Sequence, residues 1–345
     1  KIVITSGKHG LVVAFNQETG EEYWRSPVGK HQNDDLQELP EDEFVEVLPG
    51  TLGGVETPLA YAEGVVYAPI FNMSTFYNAS GLDPASIDFA AHDFSFRGQT
   101  SIESAAAGGA GHLLSFLGTD SMPSLDFIDR YYPGDNGWVA ASVPATEHSV
   151  MCVRGADGEL ETFEQILDVY PTGIVSAVSD GFDLFKVITE TLPQLEDRIT
   201  ARDGKLVIRP DSGDPVDIVT GTVHGVDQAA LTDPSRSHEE KGVVELLDEL
   251  FGHTVNAKGY KVLDQHIGVI YGDSITLDRA RRIYERLAAK GYASDNIVLG
   301  IGSYTYQYMT RDNLGSAVKA TWALVDGEPV DIQKDPKTGS GKKSA

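Results

Sequence analysis

The sequence predicts an α/β protein in which a parallel barrel takes up most of the chain and a short β-rich segment precedes it. From about Asp83 onward, apolar strands that end in polar residues alternate with helical patterns. Residues 276–290 are typical of these helices, because Ile283 and Leu287 share one face and Gly291 ends the run. Alternating strands and helices indicate a parallel sheet covered on both faces, and this number of units favours a barrel.

Residues 1–78 have a different pattern, in which short β-rich runs alternate with glycine turns. The run 11–15 leads through the turn at Thr19 and Gly20 to a strand that carries Trp24. This stretch resembles one blade of a quinoprotein-type β-propeller, a fold that needs several blades to close. We therefore expect a propeller-like fragment over residues 1–80 and a barrel over residues 81–345, joined as a chimera near residues 78–83.

The charge and cysteine content narrow the classes of partner. The chain has 27 Lys and Arg against 52 Asp and Glu, a formal net charge of −25. Such a surface repels nucleic acid and anionic lipid, so local arginines or backbone groups must hold any anionic ligand. No apolar run approaches the ~20 residues of a membrane span. Cys152 is the only cysteine, which favours a reducing, cytoplasmic location.

Neither end of the sequence reads as the natural end of a domain. Lys1 to Ile4 lack an initiator Met and a signal pattern, and the sequence stops at Lys342 to Ala345 without a terminating element. We therefore expect a barrel that is truncated at both ends, whose missing elements would leave apolar strand edges open.

Polar residues follow the carboxyl ends of the predicted barrel strands. In α/β barrels these ends converge on one rim, so we expect a single site built from segments far apart in the sequence. The segments are Pro144 to His148, Ser179 to Gly181, Arg209 to Gly213, Gly272 to Ser274, and Gly300 to Ser303.

A set of motifs in the chain resembles, in order and approximate spacing, those of the nicotinamide phosphoribosyltransferase family over about residues 81–345. They are His92 to Gly98, Gly118 to Asp120, Pro144 to Ser149, Ile208 to Gly213, Gly272 and Asp273, Gly300 to Ser303, and Thr310 to Asp312. The resemblance implies an incomplete type II phosphoribosyltransferase-like α/β barrel that forms a homodimer when intact. It implies transfer of the phosphoribosyl group from phosphoribosyl pyrophosphate to nicotinamide, giving nicotinamide mononucleotide and pyrophosphate in NAD salvage. Mg²⁺ and ATP, the latter as a coupled phosphoryl donor, are implied as well. Residues 1–78 lack the family's Asp-Ser-Tyr-Lys type segment, so we expect impaired activity.

The resemblance assigns the phosphate contacts to arginines and to one glycine-containing loop. Arg97 and Arg209 can make bidentate contacts with phosphate oxygens, although a lone arginine more often forms a surface ion pair. Gly302 and Ser303 would offer backbone N–H groups at a helix start to the 5′-phosphate, with Arg311 supplying charge.

The resemblance assigns Mg²⁺ binding to two aspartates. Asp211 and Asp273, the latter directly after Gly272, would hold the ribose hydroxyls and a Mg²⁺ ion that bridges the pyrophosphate. For an aspartate in a Pro-Asp-Ser-Gly sequence, the alternative is an ordinary turn or helix cap.

The resemblance assigns binding of the pyridine ring and its carboxamide to Phe94 and Asp120. Phe94 resembles the residue that stacks on the ring, and Asp120 resembles the acceptor for the carboxamide N–H. A carboxylate at this point attracts the amide donor of nicotinamide and repels the carboxylate of nicotinate. The alternatives are a core phenylalanine and a helix-capping aspartate.

His148 resembles the histidine that the family phosphorylates at the expense of ATP. An imidazole nitrogen is a competent phosphoryl acceptor near neutral pH, and Glu147 or Asp180 could orient the ring. A lone histidine at a strand end would more often be structural.

Three alternatives to this function stay open. Within enzymes, the alternative is nicotinate phosphoribosyltransferase. From another class, residues 1–78 allow a β-propeller module for binding or a quinoprotein-like role. An inactive fusion of two fragments differs from the transferase only in its lack of activity.

Overall fold

The protein is described by a computed structural model, which covers residues 2–6, 11–27, 31, 60–62, 65–67, 80–81, 84–132, 140–223, 233–272, 275–315 and 318–337. Strands β1 (Ile2–Ser6), β2 (Leu11–Asn16) and β3 (Glu22–Pro27) form an antiparallel three-stranded sheet. The turn between β2 and β3 contains Gly20 at a φ of +72°, a conformation that favours glycine. A short hairpin, β4 (Ala60–Ala62) and β5 (Val65–Tyr67), follows. The predicted strand over residues 11–15 and the predicted strand that carries Trp24 are confirmed, whereas the propeller interpretation stays a prediction.

The remaining strands include those of the barrel. They are β6 (Ala91–Asp93), β7 (Gly118–Thr119), β8 (Thr172–Val178), β9 (Asp203–Arg209), β10 (His253–Val255), β11 (Lys261–Leu263), β12 (Ile267–Tyr271), β13 (Val298–Ile301), β14 (Trp322–Val325) and β15 (Glu328–Asp331). Six of them form one parallel, curled sheet in the order β7-β6-β13-β12-β9-β8. The predicted mixed α/β fold with a parallel sheet is confirmed.

A short extended segment joins the two edge strands of this sheet. Ala141 forms a parallel bridge with Gly118 on β7, and Ala145 forms one with Ser176 on β8. Backbone hydrogen bonds accompany both bridges, including Thr119 N–H to Ala141 O at 3.0 Å. Both edges therefore find backbone partners, and residues 141–145 lie across the gap between them.

Helices cover the outer face of the sheet. They are α1 (Ile102–Leu113), α2 (Pro123–Tyr131), α3 (His148–Cys152), α4 (Glu159–Val169), α5 (Leu184–Lys186), α6 (Glu196–Thr200), α7 (Pro215–Thr220), α8 (His238–Lys241), α9 (Val243–Phe251), α10 (Leu277–Ala289) and α11 (Ser303–Gln307). Thr276 caps α10, and Ile283 and Leu287 are buried as predicted. Within the described residues, no helix is long and apolar enough to cross a membrane.

The apolar spacing over residues 185–195 predicts a regular α-helix, but the structure forms a helical segment of mixed type there. A π-helical turn at Val187–Thr191 and a 3₁₀ turn at Leu192–Leu195 follow α5. Pro193 has no backbone N–H to donate to the preceding turn, so the regular hydrogen-bond pattern cannot continue through it.

The larger of two apolar clusters among the described residues lies where the sheet meets its helices, with Leu206, Ile208, Leu184 and Leu247 among its fully buried members. Ser80, which precedes β6 in the chain, has its Oγ 2.8 Å from Ser294 Oγ. The domain boundary at residues 80 and 81 stays a prediction.

Candidate active site

Two adjoining cavities lie at the carboxyl ends of the parallel strands. The larger cavity has a volume of about 460 Å³ and the smaller one about 340 Å³. Phe94, Arg97 and Gly272 line both of them. The larger cavity is also lined by Gly98, Thr276, Arg279, Gly302, Ser303, Tyr304, Thr310 and Arg311. The smaller cavity is also lined by Phe96, Asp120, Ala145, Thr146, Glu147, His148, Arg209 and Asp211.

The site residues predicted from the sequence therefore come together, with two exceptions. Asp180 does not line either cavity, because it lies fully buried behind His148. Asp273 lies outside the residues that the structure describes, so its predicted metal role stays a prediction.

At one end of the smaller cavity, Asp120 follows β7 directly. Its Oδ1 accepts a hydrogen bond from Ser142 Oγ at 2.5 Å and lies 3.2 Å from His92 Nε2. Burial opposes ionisation of Asp120, but the His92 and Ser142 contacts and the charge of Arg209 hold its pKa below the ordinary value. The rings of His92 and Phe94 lie 4.5 Å apart between centroids. An ionised acceptor and an aromatic ring thus face the same cavity.

His148 lies between two carboxylates at the start of α3. Its Nε2 is 3.2 Å from Asp180 Oδ1, and its Nδ1 is 4.0 Å from Asp211 Oδ2. Burial of Asp180 opposes its charge, but hydrogen bonds from His148 and Ser212 keep its pKa below the ordinary value. Because the ionised Asp180 accepts a hydrogen bond from Nε2–H, Nδ1 is the nitrogen left to face Asp211 and the cavity.

Glu147 caps the helix that His148 begins. Its carboxylate accepts hydrogen bonds from Ser149 N–H at 2.8 Å and from Ser149 Oγ at 2.9 Å. Burial works against this charge, but the Ser149 donors hold the pKa of Glu147 below its ordinary value. The contacts of Glu147 therefore orient the backbone at His148 rather than its ring.

Arg209, the last residue of β9, is held by the loop that carries Glu147. Its Nη2 donates to the backbone oxygen of Thr146 at 2.6 Å. Thr146 Oγ1 in turn accepts from Val178 N–H at 2.9 Å, so β8, the loop and Arg209 are fixed together. Burial lowers the pKa of Arg209, with Asp211 opposing that effect, but an arginine stays protonated at neutral pH. A fixed positive charge therefore lies in the wall of the smaller cavity.

Asp211 is the described carboxylate best placed for a metal ion. Its side chain is one-fifth exposed, and a Cβ at Gly272 would lie 2.9 Å from its Oδ1, so only glycine leaves the carboxylate this room. Among the described residues no group of three His, Cys, Asp or Glu side chains could hold a metal. Mg²⁺ commonly uses one or two carboxylates together with waters and substrate phosphates, a donor set that Asp211 fits.

The structure also places basic residues at the site that the sequence did not indicate. Lys319 and Lys334, on the segment that carries β14 and β15, line a small cleft with His148 and Glu147. This segment is docked beside β8 by backbone bonds such as Asp335 N–H to Gly181 O at 2.9 Å. Isolated lysines after the last barrel strand carry no sequence signal, because only this docking brings them to His148.

The fold and the cavities define a class: an α/β protein with a curled parallel sheet, whose strands present arginines and carboxylates suited to a phosphorylated ligand at their carboxyl ends. Residues 89–345 match the model of the nicotinate phosphoribosyltransferase (NAPRTase) family. The chain belongs to this family.

Curated relatives were found in several bacteria. The nicotinamide phosphoribosyltransferase of Acinetobacter baylyi is 50% identical over 265 residues, which cover 74% of this chain and 50% of that protein. Proteins of the same name from Xanthomonas campestris and Mycoplasma pneumoniae are 41% identical over 266 residues and 40% identical over 259 residues. These matches cover 76% and 74% of this chain, and 52% of each relative. The chain thus spans about half the length of the curated relatives it matches.

Proposed function

We propose that the chain transfers a phosphoribosyl group from phosphoribosyl pyrophosphate to nicotinamide, with release of pyrophosphate. The observation that carries this proposal is the shared wall of the two cavities. Asp120 lines the smaller cavity, Arg311 lines the larger one, and Phe94 and Arg97 line both. A ring with an amide and a phosphorylated sugar can therefore lie side by side in one continuous space.

Nicotinamide is favoured over nicotinate because of Asp120. Its carboxylate, held ionised by His92 and Ser142, accepts hydrogen bonds but cannot donate one. The amide N–H of nicotinamide satisfies this acceptor, whereas the carboxylate of nicotinate would meet a like charge. The family model bears the name of the nicotinate enzyme, so nicotinate is the second candidate substrate.

The sugar and its phosphates are assigned to the arginines. Displacement at the anomeric carbon places positive charge on the sugar and negative charge on the departing pyrophosphate. Arg97 and Arg209 would stabilise the pyrophosphate, and Arg311, with Gly302 and Ser303, would hold the 5′-phosphate. A Mg²⁺ ion held by Asp211, with Asp273 as the second proposed ligand, would neutralise phosphate charge when bound.

ATP coupling is assigned to His148. With Nε2–H donating to Asp180, the lone pair of Nδ1 is available to accept a phosphoryl group from ATP, while the ATP-derived ADP leaves. Asp180 would stabilise the charge that the ring acquires, and Glu147 would fix the start of the helix.

The proposal also covers the oligomeric state, the cellular location and the amino-terminal segment of the protein. We expect a homodimer in the cytoplasm, on the resemblance and the single cysteine. The sheet of β1, β2 and β3 supports a propeller-like segment in a chimera, although one blade alone cannot close a propeller. An inactive fusion is the alternative that an assay decides.

Binding of the product is the first test. Calorimetric titration with nicotinamide mononucleotide is expected to give a saturable isotherm, and nicotinic acid mononucleotide is expected to bind at least about tenfold more weakly, since one charge-assisted hydrogen bond is replaced by repulsion. Tighter binding of the acid would favour the nicotinate enzyme. Absence of binding by both would overturn the proposed function.

A further inference from the structure

We infer that His112 and Tyr306 are positioning residues, which hold the cavity-lining residues Gly302 and Ser303 in place for phosphoribosyl pyrophosphate. Neither side chain lines the cavities. The substrate in this role is that of the proposed function, on which the role rests.

The imidazole of His112 is buried between two elements of the site. It projects from α1, is 6% exposed, and its Nε2 lies 2.9 Å from the backbone oxygen of Gly118. A carbonyl oxygen only accepts, so Nε2 carries the hydrogen. Nδ1 therefore accepts from the Tyr306 hydroxyl, 3.0 Å away. Burial lowers the pKa of His112 to about 4, so the ring stays neutral at neutral pH and keeps this arrangement.

This one ring ties together the two ends of the proposed site. Gly118 begins β7, which leads to Asp120 two residues later. Tyr306 belongs to α11, the short helix that begins at Ser303 in the wall of the larger cavity. A movement of α11 away from α1 would therefore break this half-buried hydrogen bond and leave the buried imidazole of His112 without its donor, which costs more than losing an exposed hydrogen bond.

A second set of contacts fixes α11 to α1 and to the loop of Arg97. Gln307 Nε2 donates to Ser104 Oγ, and Ser104 Oγ donates to Gln99 Oε1 at 3.2 Å. Gln99 Nε2 then donates to Ser95 Oγ at 3.1 Å, directly after Phe94. These contacts run parallel to the His112–Tyr306 bond, so α11 has two independent attachments.

Gly98 allows this close packing, whereas Gly108 is not needed for it. A Cβ at Gly98 would lie 2.1 Å from Ser303 Oγ, which is closer than atoms can approach. A Cβ at Gly108 would lie 3.9 Å from the Tyr306 ring, an ordinary contact. The wall at Ser303 is thus tightly fitted, and small displacements of α11 alter the larger cavity directly.

Tyr306→Phe is the test, because it removes one hydroxyl and keeps the ring. We expect the KM for phosphoribosyl pyrophosphate to rise about fivefold, the factor that corresponds to a hydrogen bond of about 1 kcal/mol. The kcat and the KM for nicotinamide should stay unchanged. Tyr308→Phe is the matched control, because Tyr308 is 77% exposed and does not line the cavities.

A measurement that needs no substrate separates this role from the proposed function. In the unliganded protein, amide hydrogen exchange over residues 302–307 should be about fivefold faster in Tyr306→Phe than in Tyr308→Phe. If exchange is faster in Tyr306→Phe but the unmodified chain does not use phosphoribosyl pyrophosphate, the proposed function is refuted, and the substrate-positioning role is refuted with it. A Tyr306→Phe chain with unchanged exchange, or with a lowered Tm and an unchanged KM in an active enzyme, would overturn the positioning role alone.

Discussion

Substrate choice at the base end of the site is expected to depend on Asp120. In Asp120→Ser the acceptor for the nicotinamide N–H loses its charge. A hydrogen bond to a charged group contributes about 1.5–3 kcal/mol, and the Asp120 side chain is 45% exposed, so the lower value applies. We therefore expect kcat/KM for nicotinamide to fall about tenfold.

The same change should raise kcat/KM for nicotinate. Two carboxylates about 4 Å apart repel by about 4 kcal/mol at an effective dielectric constant of 20, and solvent at this half-exposed site reduces that value. A rise of about tenfold is expected, so the ratio of the two kcat/KM values should change about 100-fold.

Steady-state assays with each substrate at saturating phosphoribosyl pyrophosphate measure this ratio. Asp129→Ser is the control, because Asp129 is exposed on α2 and does not line either cavity. If Asp120→Ser and Asp129→Ser give the same ratio as the unmodified chain, Asp120 does not select the substrate and the assignment is refuted.

Three further changes probe the site and its support. Gly98→Ala should lower the Tm and raise the KM for phosphoribosyl pyrophosphate, because the new Cβ would meet Ser303 Oγ at 2.1 Å. The control Gly108→Ala, with 3.5 Å to its nearest atom, should change neither quantity. Equal changes of Tm and KM in the two variants, measured by calorimetry and kinetics, would contradict the packing argument. Asp180→Asn keeps a hydrogen-bond acceptor for His148 but removes the buried charge. After incubation with labelled ATP, we expect at least about tenfold less acid-labile phosphate on this variant than on the unmodified chain. Equal labelling of the two chains would contradict the role of Asp180 beside His148. Burial raises the pKa of Glu159 to about 7, although the charge of Lys186 opposes this rise. Between pH 4.5 and 7 the folded chain therefore keeps a proton that the unfolded chain releases, so the free energy of unfolding falls as the pH rises through this range. Glu159→Gln should remove this fall, which amounts to up to about 3 kcal/mol in the free energy of unfolding measured with urea at pH 5 and pH 8. The same difference between the two pH values in both chains would contradict the prediction.

The location of the site could be predicted from the sequence because it depends on strand order alone. Asp120, Arg209 and Ser303 lie at or just beyond the carboxyl ends of parallel strands, and parallel strands bring these ends to one rim.

Features that depend on how distant segments dock could not be predicted. The sequence gives no signal that Lys334 lies beside His148, or that residues 141–145 bridge both edge strands. The π-helical turn after Lys186 also escaped the periodic pattern, because apolar spacing does not distinguish a regular helix from one interrupted by Pro193.

Phosphoribosyl transfer is tested most directly by product analysis. The chain is incubated with phosphoribosyl pyrophosphate, Mg²⁺ and ATP, together with either nicotinamide or nicotinate, and both products are quantified by chromatography. We expect nicotinamide mononucleotide and pyrophosphate in equal amounts from nicotinamide, and at least about tenfold less mononucleotide from nicotinate. Absence of mononucleotide from both bases, or faster use of nicotinate, would contradict the proposed function.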